Sequence, residues 1–255
     1  MPTQTLVTYE VADVRTTGGP AASYARITLD GPRRNALSAA LLDQLGAALD
    51  RAAHDDVRAV VLAANGPAFC SGADLTEALA DGMASAARRL ADVLRALLAL
   101  PRPVVARVHG PVRAGGIGLV AACDVAISTD AVTYAFTEAR LGLAPSVISL
   151  AVLPRMTPRA ASRTFLSGAP FPAAEAARHG LVTSAVPADR LDAEVADVLA
   201  GLAAGDPQGL AATKALLNAD ALARFDRHVD DAVATSAALF ASEPARAAME
   251  RLLSR

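Results

Sequence analysis

The sequence predicts an α/β layered core followed by a helical C-terminal region. Three observations carry this. Short runs rich in Val, Ile, Leu and Tyr alternate with amphipathic stretches through roughly the first 146 residues. Helical patterning dominates from about residue 147 onward. Two glycine-containing loops, at 65–75 and 109–119, each join an apolar run to the start of a helix.

The strand candidates are 6–14 (LVTYEVADV), 23–29 (SYARITL), 57–64 (VRAVVLAA), 103–108 (PVVARV), 124–128 (DVAIS) and 132–136 (VTYAF). The first two flank 17–23 (TGGPAAS), which reads as a hairpin turn. Helices are expected over 38–54, opened by Ser38 as a cap, and over 84–100. The C-terminal half gives helical stretches at 147–156, 158–167, 172–179, 188–204 and 207–219, and a long one over 220–241. Only 180–187 (GLVTSAVP) reads as extended. These helices are apolar on one face with little linker between them, so they belong against the core or against another subunit.

Bulk properties remove several function classes. The chain has 255 residues and 53% hydrophobic content, enough for a sizeable core. A formal net charge of -2 leaves no basic footprint for nucleic acid. Aromatic residues make up 4% with no Trp, which removes the usual base-stacking platforms. No apolar run is long enough to span a bilayer. Cys70 and Cys123 make no disulfide framework, and residues 1–11 lack the pattern of a signal peptide, so the expected setting is the cytoplasm. Four scattered histidines (His54, His109, His179, His228) have no metal spacing, and no metal or separate cofactor is expected.

The chemistry concentrates in the two loops. A helix start carries unpaired backbone N–H groups and the positive end of the helix dipole. Two such starts facing one point could hold a developing negative oxygen, as in an oxyanion hole. In 65–75 (NGPAFCSGADL) the candidate donor is the Ala73 N–H, after a tight backbone at Gly72. In 113–119 (RAGGIGL) the helix opens on Gly115 and Gly116. Each segment alone is also an ordinary turn or a packing glycine cluster. Gly116 to Ala121 matches the dinucleotide pattern G-x-G-x-x-A, but that fingerprint needs its first glycine directly after a strand, and residues 109–115 intervene. Glu138 closes an apolar strand-like run beside Arg140. It reads either as an acid/base held among apolar walls or as an exposed partner of Arg140. Cys70 reads as a small buried residue, Asp124 as a turn or cap residue, and His109 as a loop histidine bonded to backbone. Gly118 lies one turn into the second helix, where a side chain would reach the same site, and it offers none.

Taken together, 35–37 (NAL), 69–75 (FCSGADL), 104–127, 138–143 (EARLGL), 168–182 with Val186-Pro187, and 240–249 resemble the enoyl-CoA hydratase/isomerase (crotonase) family in order and spacing. The resemblance covers nearly the whole chain. It implies a crotonase-like ββα spiral core over 1–190 and a C-terminal helical trimerisation region over 191–255, in a homotrimer or dimer of trimers. It implies an acyl-CoA thioester as substrate, its oxygen held by the amides of Ala73 and Gly115, with Glu138 handling protons. Arg33, Arg34, Ala36, Ser71, Gly72, Asp74, Leu75 and Gly116 fall where such proteins meet coenzyme A, which enters as part of the substrate. A hydratase of this family carries a second glutamate at the position of Gly118. His109, Arg113 and the run Ser146-Val147-Ile148 after Pro145 also depart from the pattern. The expected chemistry is therefore single-glutamate double-bond isomerisation. Slow hydration is the alternative, and acyl-CoA binding with other thioester chemistry, such as decarboxylation or hydrolysis, is the third.

Overall fold

A computed structural model describes residues 4–14 and 22–254. The chain opens with β1 (Val7–Val14) and β2 (Ala22–Leu29), paired antiparallel from Val7 with Leu29 to Val14 with Ala22. The expected hairpin turn between them lies outside the described residues. There follow α1 (Pro32–Asn35), a single left-handed turn, α2 (Ala39–His54), β3 (Ala59–Ala64), α3 (Leu75–Asp81) and α4 (Ala84–Ala99). Then come β4 (Val104–Val108), β5 (Val112–Arg113), α5 (Gly115–Ala122), β6 (Val125–Thr129) and β7 (Thr133–Ala135). A 3₁₀ turn, Glu138–Leu141, leads to α6 (Ser146–Val152), α7 (Pro158–Ser167), β8 (Phe171–Pro172), α8 (Ala173–Arg178) and β9 (Ser184–Val186). The chain ends with α9 (Leu191–Ala203), α10 (Pro207–Ala241) and α11 (Glu243–Leu253).

Six strands form one sheet in the order β1-β2-β3-β4-β6-β9, parallel from β2 onward. A second sheet joins β5, β7 and β8. Strand β3 is buried at every position, and its residues divide by parity, as side chains in a strand must. Val60, Leu62 and Ala64 enter the main core with α2 and α4, whereas Ala59, Val61 and Ala63 meet Leu191, Val195 and Leu199 of α9 on the other face. Burial on both faces explains why this strand reads as an unbroken apolar run.

Two expected helices, 207–219 and 220–241, are one continuous helix of 35 residues. Alanine-rich sequence with no Pro or Gly near 219–220 gives no reason to stop there. Its docking on the core is polar as well as apolar. Lys214, the sole lysine, donates from Nζ to the Leu97 and Arg102 carbonyls at 2.8 and 3.0 Å and pairs with Asp124 at 2.8 Å. Asp124 also accepts from the Val104 N–H at 2.8 Å and from Asn218 Nδ2 at 3.1 Å. Asp124 is thus no simple turn residue: it is the anchor for α10, and its partners on that helix lie about ninety residues away, where spacing along the chain cannot show them.

Candidate active site

The two predicted loops meet through backbone hydrogen bonds. The Arg113 N–H donates to the Cys70 carbonyl at 3.0 Å and the Phe69 N–H to the Pro111 carbonyl at 3.1 Å, while the Leu37 N–H ties the first loop to the 35–37 segment by donating to the Gly72 carbonyl at 2.8 Å. Gly72 has φ +94, a conformation only glycine adopts at no steric cost. A Cβ there would lie 3.0 Å from that of Ala114 and 3.3 Å from the Arg113 carbonyl oxygen. Ala114 itself sits at φ 46, ψ -118, a strained conformation for alanine. The bond from its N–H to the Ala135 carbonyl, 3.0 Å, and the pairing of β5 with β7 hold it there. Just after these two backbone turns stand Ala73 and Gly115. Among the described residues, neither of their amide N–H groups donates to an acceptor in the chain.

Both residues line one cavity of about 130 Å³. Glu138 lines it as well, so the structure brings together the three residues expected to do chemistry. Ser71 and Leu75 share the wall. Leu90, Leu143 and Ile148 give it an apolar surface, and Phe240 of α10 and Leu252 of α11 reach it from the C-terminal region.

Glu138 is 9% exposed. Its Oε2 has no hydrogen-bond partner, and burial pushes its carboxyl up to about 7, opposed by a smaller effect of its own backbone N–H. The alternative of an exposed pair with Arg140 does not occur: the Arg140 Nε donates to the Ser167 carbonyl at 3.0 Å. A carboxyl in this state can take or give a proton near neutral pH.

The remaining predicted residues fall into two groups. Arg34 and Ser71 border an adjacent groove of about 390 Å³ together with Arg113. Arg33, Arg34 and Asn35 all have positive φ, between 51 and 60. Asn35 holds that turn: its Oδ1 accepts from the Gly31 N–H at 2.7 Å, and its Nδ2 donates to the Asn65 and Ala68 carbonyls at 2.9 and 3.0 Å. The structure gives the second group packing and capping roles. Asp74 is buried, caps α3 through the Thr76 and Glu77 N–H groups, and pairs with Arg33, so its carboxylate is already committed. Gly116 faces Cys70, whose Cβ would lie 2.6 Å from a Cβ at 116, so its small size serves protein packing and not ligand approach. Ala36 is buried beneath the turn.

The other candidates resolve simply. His109 Nε2 lies 2.8 Å from the Gly66 carbonyl, as expected for a loop histidine. The Arg113 guanidinium donates to the Thr133 carbonyl and hydroxyl at 2.6 and 2.9 Å, tying β5 to β7. Cys70 is buried and its thiol is pushed up to about 12 by desolvation, which leaves it unreactive.

Gly118 yields the main finding that sequence could not supply. A Cβ at 118 would lie 2.7 Å from Ile148 Cγ2 and 3.0 Å from Ile148 Cβ. The place where an acid would begin is filled by the first turn of α6. The signal lay in Ser146-Val147-Ile148, bulkier than a glycine-rich turn, but nothing in the sequence placed that turn against position 118.

The model of the enoyl-CoA hydratase/isomerase family matches residues 20–252. A mouse mitochondrial enoyl-CoA hydratase domain-containing protein 3 is 38% identical over 176 residues, 66% of this chain and 58% of that protein. The chain thus spans under two thirds of the length of that relative. An enoyl-CoA hydratase structure from Mycobacterium avium superposes with a TM-score of 0.87 at 44% identity, covering 98% of this chain and 97% of that one. An enoyl-CoA isomerase from Mycobacterium tuberculosis gives 0.77 at 25% identity, with 88% and 97% covered. The mixed α/β core and the helical C-terminal region are those of the crotonase fold, and the chain belongs to the enoyl-CoA hydratase/isomerase family.

Proposed function

We propose that this protein shifts a carbon–carbon double bond in an acyl-CoA thioester, using Glu138 as its single base. The observation that carries the proposal is the pairing of Glu138, buried and unpartnered in the cavity, with an Ile148 side chain where a second acid would stand. The amides of Ala73 and Gly115 hold the thioester oxygen. The Glu138 carboxylate takes a proton from the carbon α to the carbonyl of a 3-enoyl-CoA, and negative charge moves to that oxygen as the dienolate forms. The same carboxyl returns the proton at the γ carbon, giving the 2-enoyl-CoA. No water, metal or separate cofactor takes part. Coenzyme A lies along the turn of Arg33 and Arg34 and the segment Ser71, Gly72 and Leu75.

The test is turnover of 3-enoyl-CoA by Glu138→Gln, with thioester affinity measured in parallel. A positioned acid/base contributes about 10²–10⁴-fold, so the rate falls by that factor while binding stays. Unchanged turnover would overturn the proposal. A second reading, slow hydration of a 2-enoyl-CoA, is favoured by the hydratase names of the mouse and M. avium relatives. Comparing the initial rates of double-bond shift and of water addition on one preparation decides between them.

The assembly proposed is a homotrimer or dimer of trimers. It is supported by exposed leucines on the helical half: Leu166 is 80% exposed, Leu216 78% and Leu217 72%. Light scattering after size-exclusion chromatography tests it, and a monomer at micromolar concentration would refute it. A cytoplasmic setting goes with two buried free thiols, and no helix among the described residues is long and apolar enough to cross a membrane.

A further inference from the structure

We infer that Met249 of α11 is a positioning residue: it holds the 3₁₀ turn that carries Glu138 against α3, the helix after Ala73, and so keeps water from the carboxyl. The role rests on the single-base reading above and says what keeps that base in its working state.

Ala245 and Met249 lie one turn apart on α11, and both are fully buried. With Leu143 they form a small cluster separate from the main core, and Leu75, Leu79 and Leu141 pack around it. Leu75 opens α3 two residues after Ala73, while Leu141 and Leu143 stand three and five residues after Glu138. Leu75, Leu141 and Leu143 also line the cavity. The cluster therefore backs part of the cavity wall and joins the side with the backbone donors to the side with the base. Gly142, at φ +71, lets α11 come close: a Cβ there would lie 3.4 Å from the Ala245 nitrogen.

Apolar packing is the whole of this grip. Among the described residues, no hydrogen bond joins α11 to α3 or to the 3₁₀ turn. The helix leaves α10 through a corner at Ser242, whose extended backbone ends one helix and starts the next.

Glu138 depends on such cover. Burial is what pushes its carboxyl up to about 7. Among the described residues, no other charged side chain lines the cavity. Arg140, on the same turn, is bonded to the Ser167 carbonyl, and Glu77 of α3 accepts from the Ala39 N–H at 3.1 Å. Arg159 and Arg163 of α7 and Glu243, Arg246, Glu250 and Arg251 of α11 are exposed and form no part of the cavity wall. Shortening Met249 leaves a gap behind Leu141 and Leu143. Water then reaches the carboxyl, which falls toward its ordinary value and becomes a weaker base at neutral pH.

The test is a titration of the Glu138 carboxyl by NMR after isotope labelling of glutamate, with the Glu138 signal assigned by its loss in Glu138→Gln. The pH profile of kcat/KM on 3-enoyl-CoA is measured in parallel. The unmodified protein titrates near 7. In Met249→Ala the midpoint drops by about one pH unit or more, and the plateau of kcat/KM falls about tenfold. Met249→Leu, which nearly conserves volume, restores both. A purely structural loss lowers the amount of active enzyme and leaves the midpoint where it was. Thermal melts identify the folded variants. If Met249→Ala does not fold, Leu79→Ala, in the same cluster but outside the cavity wall, carries the same expected shift. An unmodified midpoint near 4.5, or one that the folded variant leaves in place, overturns the inference and leaves the double-bond reading to its own assay. A midpoint that moves as expected in a protein whose unmodified form does not turn over 3-enoyl-CoA overturns the double-bond reading and keeps the hold of Met249 on Glu138.

Discussion

The two sides of the cavity are built from different material. On one side stand Ala73 and Gly115, which offer backbone amides; on the other stand Glu138 and Ile148, which offer side chains. The backbone side is held by the bonds from Leu37 to Gly72 and from Arg113 to Cys70, by Asn35 under the neighbouring turn, and by positive φ at Gly72 and Ala114. No single side chain supplies its function, so substitution around it moves the donors without deleting them. The other side depends on single residues. On the proposed reading, changing position 118 or 148 alters the chemistry available and leaves the two backbone amides in place. A family can therefore keep one reaction intermediate and vary what happens to it.

The largest expected effect after loss of Glu138 breaks the backbone side. Replacing the Ala73 amide by an ester, through incorporation of lactate at position 73, removes one N–H donor and preserves shape. Removing a single oxyanion donor costs about 10²–10³ in kcat, to be read in the 3-enoyl-CoA assay. A change below about threefold would mean that the Ala73 amide does not face the reacting oxygen.

The next effect sharpens the side-chain half. A carboxyl held at about 7 when folded, against 4.5 as its ordinary value, binds more protons folded than unfolded between those values. Its ionisation therefore destabilises the fold as pH rises from about 4.5 through 7. Glu138→Gln should leave stability unchanged near pH 4 and raise it by roughly 3 kcal/mol above pH 8. Chemical denaturation at the two pH values measures this. The same titration makes kcat/KM of the unmodified enzyme rise through pH 7 to a plateau, because the base must be ionised. An activity midpoint near pH 4.5 would show that Glu138 is solvated in the working enzyme.

These two sides also differed in how far the sequence revealed them. Glycine at 72 and 115, with helix starts just beyond, marks a backbone requirement in the letters themselves, and the apolar run of β3 announces burial on both faces. Glu138 could be singled out but not assigned, since an exposed partner of Arg140 and a buried acid give the same string; only the surrounding walls decide. The Gly116–Cys70 contact, the Asp124–Lys214 anchor and the Ile148–Gly118 contact are tertiary meetings between residues about thirty to ninety positions apart. Periodicity and local spacing carry no information about such meetings. The expected break in α10 at 219–220 has a different origin: no Pro or Gly stands there, and the alanine-rich sequence runs on as one helix.

The smallest expected thermodynamic effect carries the most information about why one side varies. Gly118→Glu alone drives a side chain into Ile148, whose Cγ2 lies 2.7 Å from the new Cβ. Overpacking of this kind costs about 1–3 kcal/mol, so the single variant should melt lower and gain no hydration. Adding Ile148→Gly opens the space. If position 148 is what excludes a second acid, the double variant regains stability relative to Gly118→Glu and hydrates crotonyl-CoA about tenfold or more faster than the unmodified protein. Should the unmodified protein already hydrate as fast as the double variant, the single-base reading fails. Glu138 would then handle water without a second carboxylate, and the Ile148 wall would govern the shape of the acyl group and not the fate of the proton.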